Sequence, residues 1–196
     1  MTNVQKLSGL FFCAAFLLAA HVASAQPFDT KFTEEVATEK AVMAFVQNKT
    51  EPTEPQQKEP AEALAAQTAT GGYKLMSVAE LKDALDAKTP MLLVDTMPGD
   101  SFAKGHFPGA VNFLFPVQEM GVWDAKETGG KTVDDFANLL GPDKNRKIVF
   151  YCGFVKCTRS HNAAMWAVKL GYTDVTRVPG GLFAWMGAGY PLEAAK

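Results

Sequence analysis

Two short runs along the chain, residues 91–94 and 148–151, contain apolar or aromatic residues only. Runs of that length without a polar face predict strands buried on both sides. Residues 110–114 and 175–178 are further strand candidates. Between them the period changes to the three-to-four spacing of helices. Ser77 followed by Glu80 forms a capping box that opens a helix through about Ala87, and residues 101–104 predict a brief helix or turn. Thr132 and Asp135 cap a helix carrying Val133, Phe136, Leu139 and Leu140, which Gly141-Pro142 stops. Another helix starts near Arg159 or Ser160, carries Ala163, Ala164, Ala167 and Leu170, and ends at Gly171. Residues 121–131 read as an exposed connection, and 182–186 as a last helical turn. Strands alternating with helices predict an α/β fold, a small mainly parallel sheet with helices on both faces.

The first third reads differently. Lys6 precedes an apolar run over residues 10–20 and then Ala23-Ser24-Ala25, the pattern of a secretory signal peptide cut between Ala25 and Gln26. This predicts an exported chain, periplasmic or secreted, without a membrane anchor after cleavage; a retained anchor is the alternative. Cys13 lacks the small residues that a lipoprotein signal places just before its cysteine. Residues 26–48 predict a short amphipathic helix through Phe32, Val36, Met43 and Val46, resting on the domain or meeting a partner. Residues 49–72 turn to Thr, Glu, Pro, Gln and Ala, with Pro52, Pro55 and Pro60 spaced through them, and read as a flexible linker. Asn48-Lys49-Thr50 fits a glycosylation acceptor. The compact domain is expected over 73–196.

Composition narrows the chemistry. Apolar residues make up 47% of the chain, enough for one core. The formal charge is −2, and loss of Lys6 with the leader makes it −3, so no global basic field points to nucleic acid. Removing the leader leaves Cys152 and Cys157. A structural disulfide is one reading for an exported chain, although so short a loop gains little from closure.

Strand 148–151 runs directly into Cys152-Gly153-Phe154-Val155-Lys156-Cys157-Thr158-Arg159-Ser160 and then into a helix. Ligands gather beyond the carboxyl ends of parallel strands, so a site is expected in this loop. Amides of Gly153, Phe154, Val155, Lys156, Cys157 and Thr158, with the positive end of the helix, would cradle an anion and stabilise a Cys152 thiolate. Lys156 and Arg159 would add positive charge.

Several separated blocks then resemble the rhodanese-like domain family over residues 75–193. Leu92-Leu93-Val94-Asp95 is similar to its first buried strand, and Gly105-His106-Phe107-Pro108-Gly109-Ala110 to its Gly-His block. Phe150-Tyr151-Cys152 resembles the strand delivering the catalytic cysteine, and Arg159-Ser160 with Ala163-Ala164 the following helix. Gly171-Tyr172, Gly180-Gly181-Leu182-Phe183-Ala184-Trp185 and Gly189-Tyr190-Pro191 resemble its closing segment. The resemblance implies a sulfurtransferase in which Cys152, supported by Arg159, carries a persulfide. A small anionic donor such as thiosulfate would supply the sulfur, and cyanide, a small thiol or a protein thiol would accept it. It implies no metal or organic cofactor.

Two departures stand out. Six residues separate Cys152 from Arg159 where the common form has four, and Cys157 falls in the added length. Thr96-Met97 stands where many members carry an arginine two residues after the aspartate, so one buried ion pair of the family is expected to be missing. Cys157 is read as a resolving thiol, a disulfide partner or a filler of the loop. Asp95, His106 and Ser160 are expected in supporting roles, His161 at the site or in solvent, and Trp185 in the core or walling the pocket. Two rival functions remain: a non-catalytic binding module, and a cysteine-dependent phosphatase or arsenate reductase, which the loop length disfavours.

Overall fold

A computed structural model describes residues 30–194. The predicted signal peptide and its cleavage site lie outside the described residues. Five strands form one sheet: β1 (Lys74–Leu75), β2 (Leu92–Asp95), β3 (Val111–Asn112), β4 (Ile148–Tyr151) and β5 (Val175–Val178). All neighbours are parallel, in the order β1-β5-β4-β2-β3. The apolar runs of β2 and β4 therefore form adjacent central strands, with Leu92 opposite Ile148 and Asp95 opposite Tyr151.

Strand periodicity divides those runs between two cores. Leu92, Val94, Ile148 and Phe150 face Phe136 and Leu140 of α5 (Val133–Leu140) and the small residues Ala163, Ala164 and Ala167 of α6 (Arg159–Lys169). Leu93, Val149 and Tyr151 face Val78 and Leu81 of α3 (Val78–Asp86) and Leu182, Ala184 and Trp185 of α7 (Gly181–Gly187). Both expected capping boxes form. Ser77 Oγ accepts from the Glu80 amide at 3.2 Å while Glu80 accepts from the Ser77 amide at 2.7 Å, and Thr132 with Asp135 repeats the pattern. The turn at residues 101–104 is the end of α4 (Gly99–Lys104). The strand expected over 110–114 shortens to two residues, and β1 is an addition too brief for any period to reveal.

The N-terminal segment differs more. Helix α1 (Thr30–Asn48) occupies the described part of the segment expected to be helical. The flexible linker expected over 49–72 is instead largely helix α2 (Pro55–Gly71). Proline content misdirects here: Pro55 occupies the first turn, where its missing N–H has no helical partner anyway. Gln, Lys, Glu and Ala then favour the helix. Gly72 ends it with φ 68°, its amide bonded to the Thr68 carbonyl at 3.2 Å. Tertiary packing completes it, since Ala61 and Leu64 of α2 and Val42 of α1 enclose Val155 from the cysteine loop in a third apolar cluster. Helix α1 lies against α7 so closely that a Cβ on Gly187 would come 2.0 Å from the Phe32 carbonyl oxygen. The two N-terminal helices thus form a layer over the carboxyl edge of the sheet.

Candidate active site

Strand β4 delivers Cys152 to the expected place, at the start of the loop joining the sheet to α6. Glycine at 181 makes the seat possible: its φ is 55°, and a Cβ there would lie 2.3 Å from the Cys152 carbonyl oxygen. That approach lets the Leu182 amide donate to Cys152 O at 2.9 Å and the Phe183 amide to Gly153 O at 2.8 Å. The cysteine is thereby clamped between β4 and the start of α7.

Its environment departs from the expected open thiolate. Cys152 is 0% exposed. Its Sγ donates to the Cys157 carbonyl at 3.2 Å and meets Ser160 Oγ at 3.1 Å. Burial first, and the neighbouring Cys157 side chain second, push the Cys152 thiol well above its ordinary range. Cys157 goes the other way, down to about 6, because the Cys152 thiol hydrogen-bonds to it and the backbone amides of Arg159 and Gly153 point at its sulfur. Both cysteines are free thiols. The pair acts as one unit that gives up a first proton readily and a second with difficulty, and a proton shift across the hydrogen bond between the two thiols places the single charge on either sulfur.

The loop does not gather its amides on Cys152. The Val155 amide donates outward to Glu35 of α1 at 2.5 Å, and the Cys157 amide to Phe154 O at 3.0 Å. Two loop carbonyls, Val155 O and Cys157 O, instead turn inward to Arg177 of β5. Lys156 points into solvent and pairs with Glu59 of α2 at 2.6 Å. Arg159 donates to the Phe115 carbonyl. Neither cation expected to support the sulfur has a bond to it. Phe154, 39% exposed, stacks on Phe183. Thr158 precedes α6 without a side-chain cap bond.

Of the expected supporting residues, Ser160 alone touches the Cys152 sulfur. Asp95 is fully buried; Oδ1 accepts from the Met97 amide at 2.7 Å while Oδ2 has no partner. Among the described residues no cation forms a salt bridge with it, in keeping with methionine at 97, and burial pushes its carboxyl up to about 6. His106 is bound locally, Nδ1 donating to Phe102 O at 2.8 Å and its ring stacked on Phe102. His161 is buried rather than solvated, with Nδ1 against the Tyr73 hydroxyl at 2.9 Å, and burial lowers it to about 4, so it is neutral. Trp185 packs with Phe107 in the core and donates to Pro191 O.

Sequence reading missed Arg177, Gln67 of α2, Tyr73 and Glu35. For Arg177 a signal existed, a guanidinium in the middle of a strand whose four residues are all buried. For Gln67 and Glu35 none did, because both act through a helix layer that composition concealed. A cavity of about 280 Å3 lies between α2 and the loop, lined by Leu64, Gln67, Val155, Lys156 and Thr158 among others.

A parallel α/β sheet presenting a cysteine at the carboxyl end of a central strand, in the loop before a helix, defines a class of cysteine-loop domains. Residues 77–188 match the family model described as the Rhodanese-like domain, and the chain belongs to that family. Thiosulfate sulfurtransferase GlpE of Shewanella oneidensis is 29% identical over 114 residues, 58% of this chain and 92% of that protein. An HTH-type transcriptional regulator of Mycobacterium tuberculosis is 32% identical over 101 residues, 52% of this chain; the chain spans only 37% of that protein's length. Among solved structures, a thiosulfate sulfurtransferase of Pseudomonas aeruginosa superposes with a TM-score of 0.51 at 20% identity, covering 70% of this chain and 23% of that one, a likeness of fold.

Proposed function

We propose that this protein is a sulfurtransferase that moves a sulfane sulfur from a small anionic donor such as thiosulfate, through a persulfide on Cys152, to a thiophilic acceptor such as cyanide or a thiol. One observation carries the reading: a free cysteine stands at the carboxyl end of a central parallel strand, its sulfur against a second free thiol-bearing residue and a serine hydroxyl. The likeness to a thiosulfate sulfurtransferase over nearly that protein's whole length supports it. In the transfer, the Cys152 thiolate attacks the outer sulfur of thiosulfate, the sulfur–sulfur bond of the donor breaks, and sulfite leaves with the electron pair. Cyanide then takes the outer sulfur and returns the thiolate. The complete burial of Cys152 requires part of its surroundings to move before either reactant arrives.

That complete burial favours a second reading, a rhodanese-type binding module in which the thiol pair does no chemistry. Thiocyanate production from thiosulfate and cyanide separates the two. The first reading predicts turnover that Cys152→Ser abolishes; the second predicts none from the native chain. The inward carbonyls of Val155 and Cys157 oppose a phosphatase cradle, and p-nitrophenyl phosphate should not be hydrolysed. We also propose export with cleavage after Ala25, which N-terminal sequencing of the processed protein checks: Gln26 is the expected first residue.

A further inference from the structure

Arg177 is 0% exposed, and every donor of its guanidinium is used. Nε donates to Ser160 Oγ at 2.9 Å; Nη1 to Gln67 Oε1 at 2.6 Å and to the Tyr73 hydroxyl at 3.3 Å; Nη2 to Val155 O at 3.3 Å and Cys157 O at 3.0 Å. All five acceptors are neutral, and among the described residues no carboxylate forms a salt bridge with it. A buried cation without an anion is costly, so a negative charge nearby is strongly favoured. The ionisable groups around it are Cys152 at the end of β4, Cys157 in the loop, Tyr73 before β1 and His161 in α6; Glu35 of α1 lies beyond the loop, on the Val155 amide. His161 is neutral, and burial first among its causes holds Tyr73 above its ordinary range, so the thiol pair alone can supply the charge near neutral pH.

The geometry gives that charge a path. Two oxygen atoms lie at hydrogen-bond distance from the Cys152 sulfur, Ser160 Oγ at 3.1 Å and Cys157 O at 3.2 Å, and both accept an N–H from Arg177. With a lone pair of Ser160 held by Nε, the serine hydroxyl is free to donate to the sulfur. Withdrawal of electron density from the Cys157 carbonyl reduces its repulsion of a thiolate. We propose that Arg177 is the positioning cation on the Cys152 side of this site, holding the single negative charge of the Cys152–Cys157 pair through the Ser160 hydroxyl and the Cys157 carbonyl. Its part in sulfur transfer rests on the function proposed above, but its effect on ionisation does not.

The test is a pH titration of thiolate absorbance in the full chain, below the range where tyrosines ionise. Arg177→Gln is expected to raise the first ionisation of the pair by at least about one pH unit, a roughly tenfold loss of thiolate at pH below the midpoint. Arg177→Lys should recover part of it, while Arg159→Ala, which removes a positive charge acting on Cys157, should raise the midpoint by less than Arg177→Gln does. Should Arg177→Gln fail to fold, Ser160→Ala cuts one of the two paths with the cation retained and is expected to raise the midpoint as well. An unchanged midpoint in folded Arg177→Gln, or in Ser160→Ala where the first does not fold, overturns the proposal. Raised midpoints in a protein that never takes sulfur from thiosulfate would leave the role of Arg177 standing and remove the transferase reading.

Discussion

At the cysteine loop, Val155 packs against Leu64 and its amide bonds to Glu35, contacts that reach across most of the chain. Glu39 shows the same long-range logic. One α1 carboxylate accepts from the Val78 amide that starts α3 and the Gly180 amide that precedes α7. Burial pushes it up to about 7 from the ordinary 4.5. The folded value lies above the unfolded one, so Glu39 supports folding fully below about 4.5 and that support is lost as pH rises through about 7. Glu39→Gln should therefore remove this component, and Tm measured at about pH 5 and about pH 8 should fall less with rising pH than in the parent.

At the scale of elements, capping boxes and strand runs predicted α3, α5, β2 and β4 because each is stabilised within itself or by a core on both faces. Helix α2 was hidden because composition averages over position: Pro55 in the first helical turn is permissive, while Pro60 inside the helix is buried and tolerated through tertiary packing that the sequence does not display. The two contacts α2 makes with the cysteine loop should differ sharply in energy. Leu64, buried beside Val155, should cost about 2–5 kcal/mol when replaced by alanine. The Glu59–Lys156 pair is exposed on both sides, and Glu59→Ala should cost less than about 1 kcal/mol. Denaturant titration of both variants checks the contrast.

For the whole molecule, three layers matter: helices α5 and α6, the parallel sheet, and α3 with α7, across whose carboxyl edge α1 and α2 are laid. The family resemblance covered the first three and was silent on the covering pair. The placement of Cys152 was legible in the sequence, from an apolar strand, a loop and a helix start in succession; the contacts of that pair with Val155 and Arg177 were not, because they join distant parts of the chain. Leu64→Ala, by loosening α2, should accelerate alkylation of Cys152 under native conditions. Trypsin cleavage after Lys156 places Cys152 and Cys157 in separate peptides, so each thiol can be followed alone.

The same separation allows the most direct test of sulfur transfer. Full-length protein is incubated with thiosulfate without reductant, digested under conditions that preserve persulfides, and the peptide spanning residues 148–156 is weighed. A gain of one sulfur atom on that peptide, absent from Cys152→Ser, is the predicted result. A peptide of unchanged mass, in a sample whose Cys152 reacts with an alkylating agent, would contradict it.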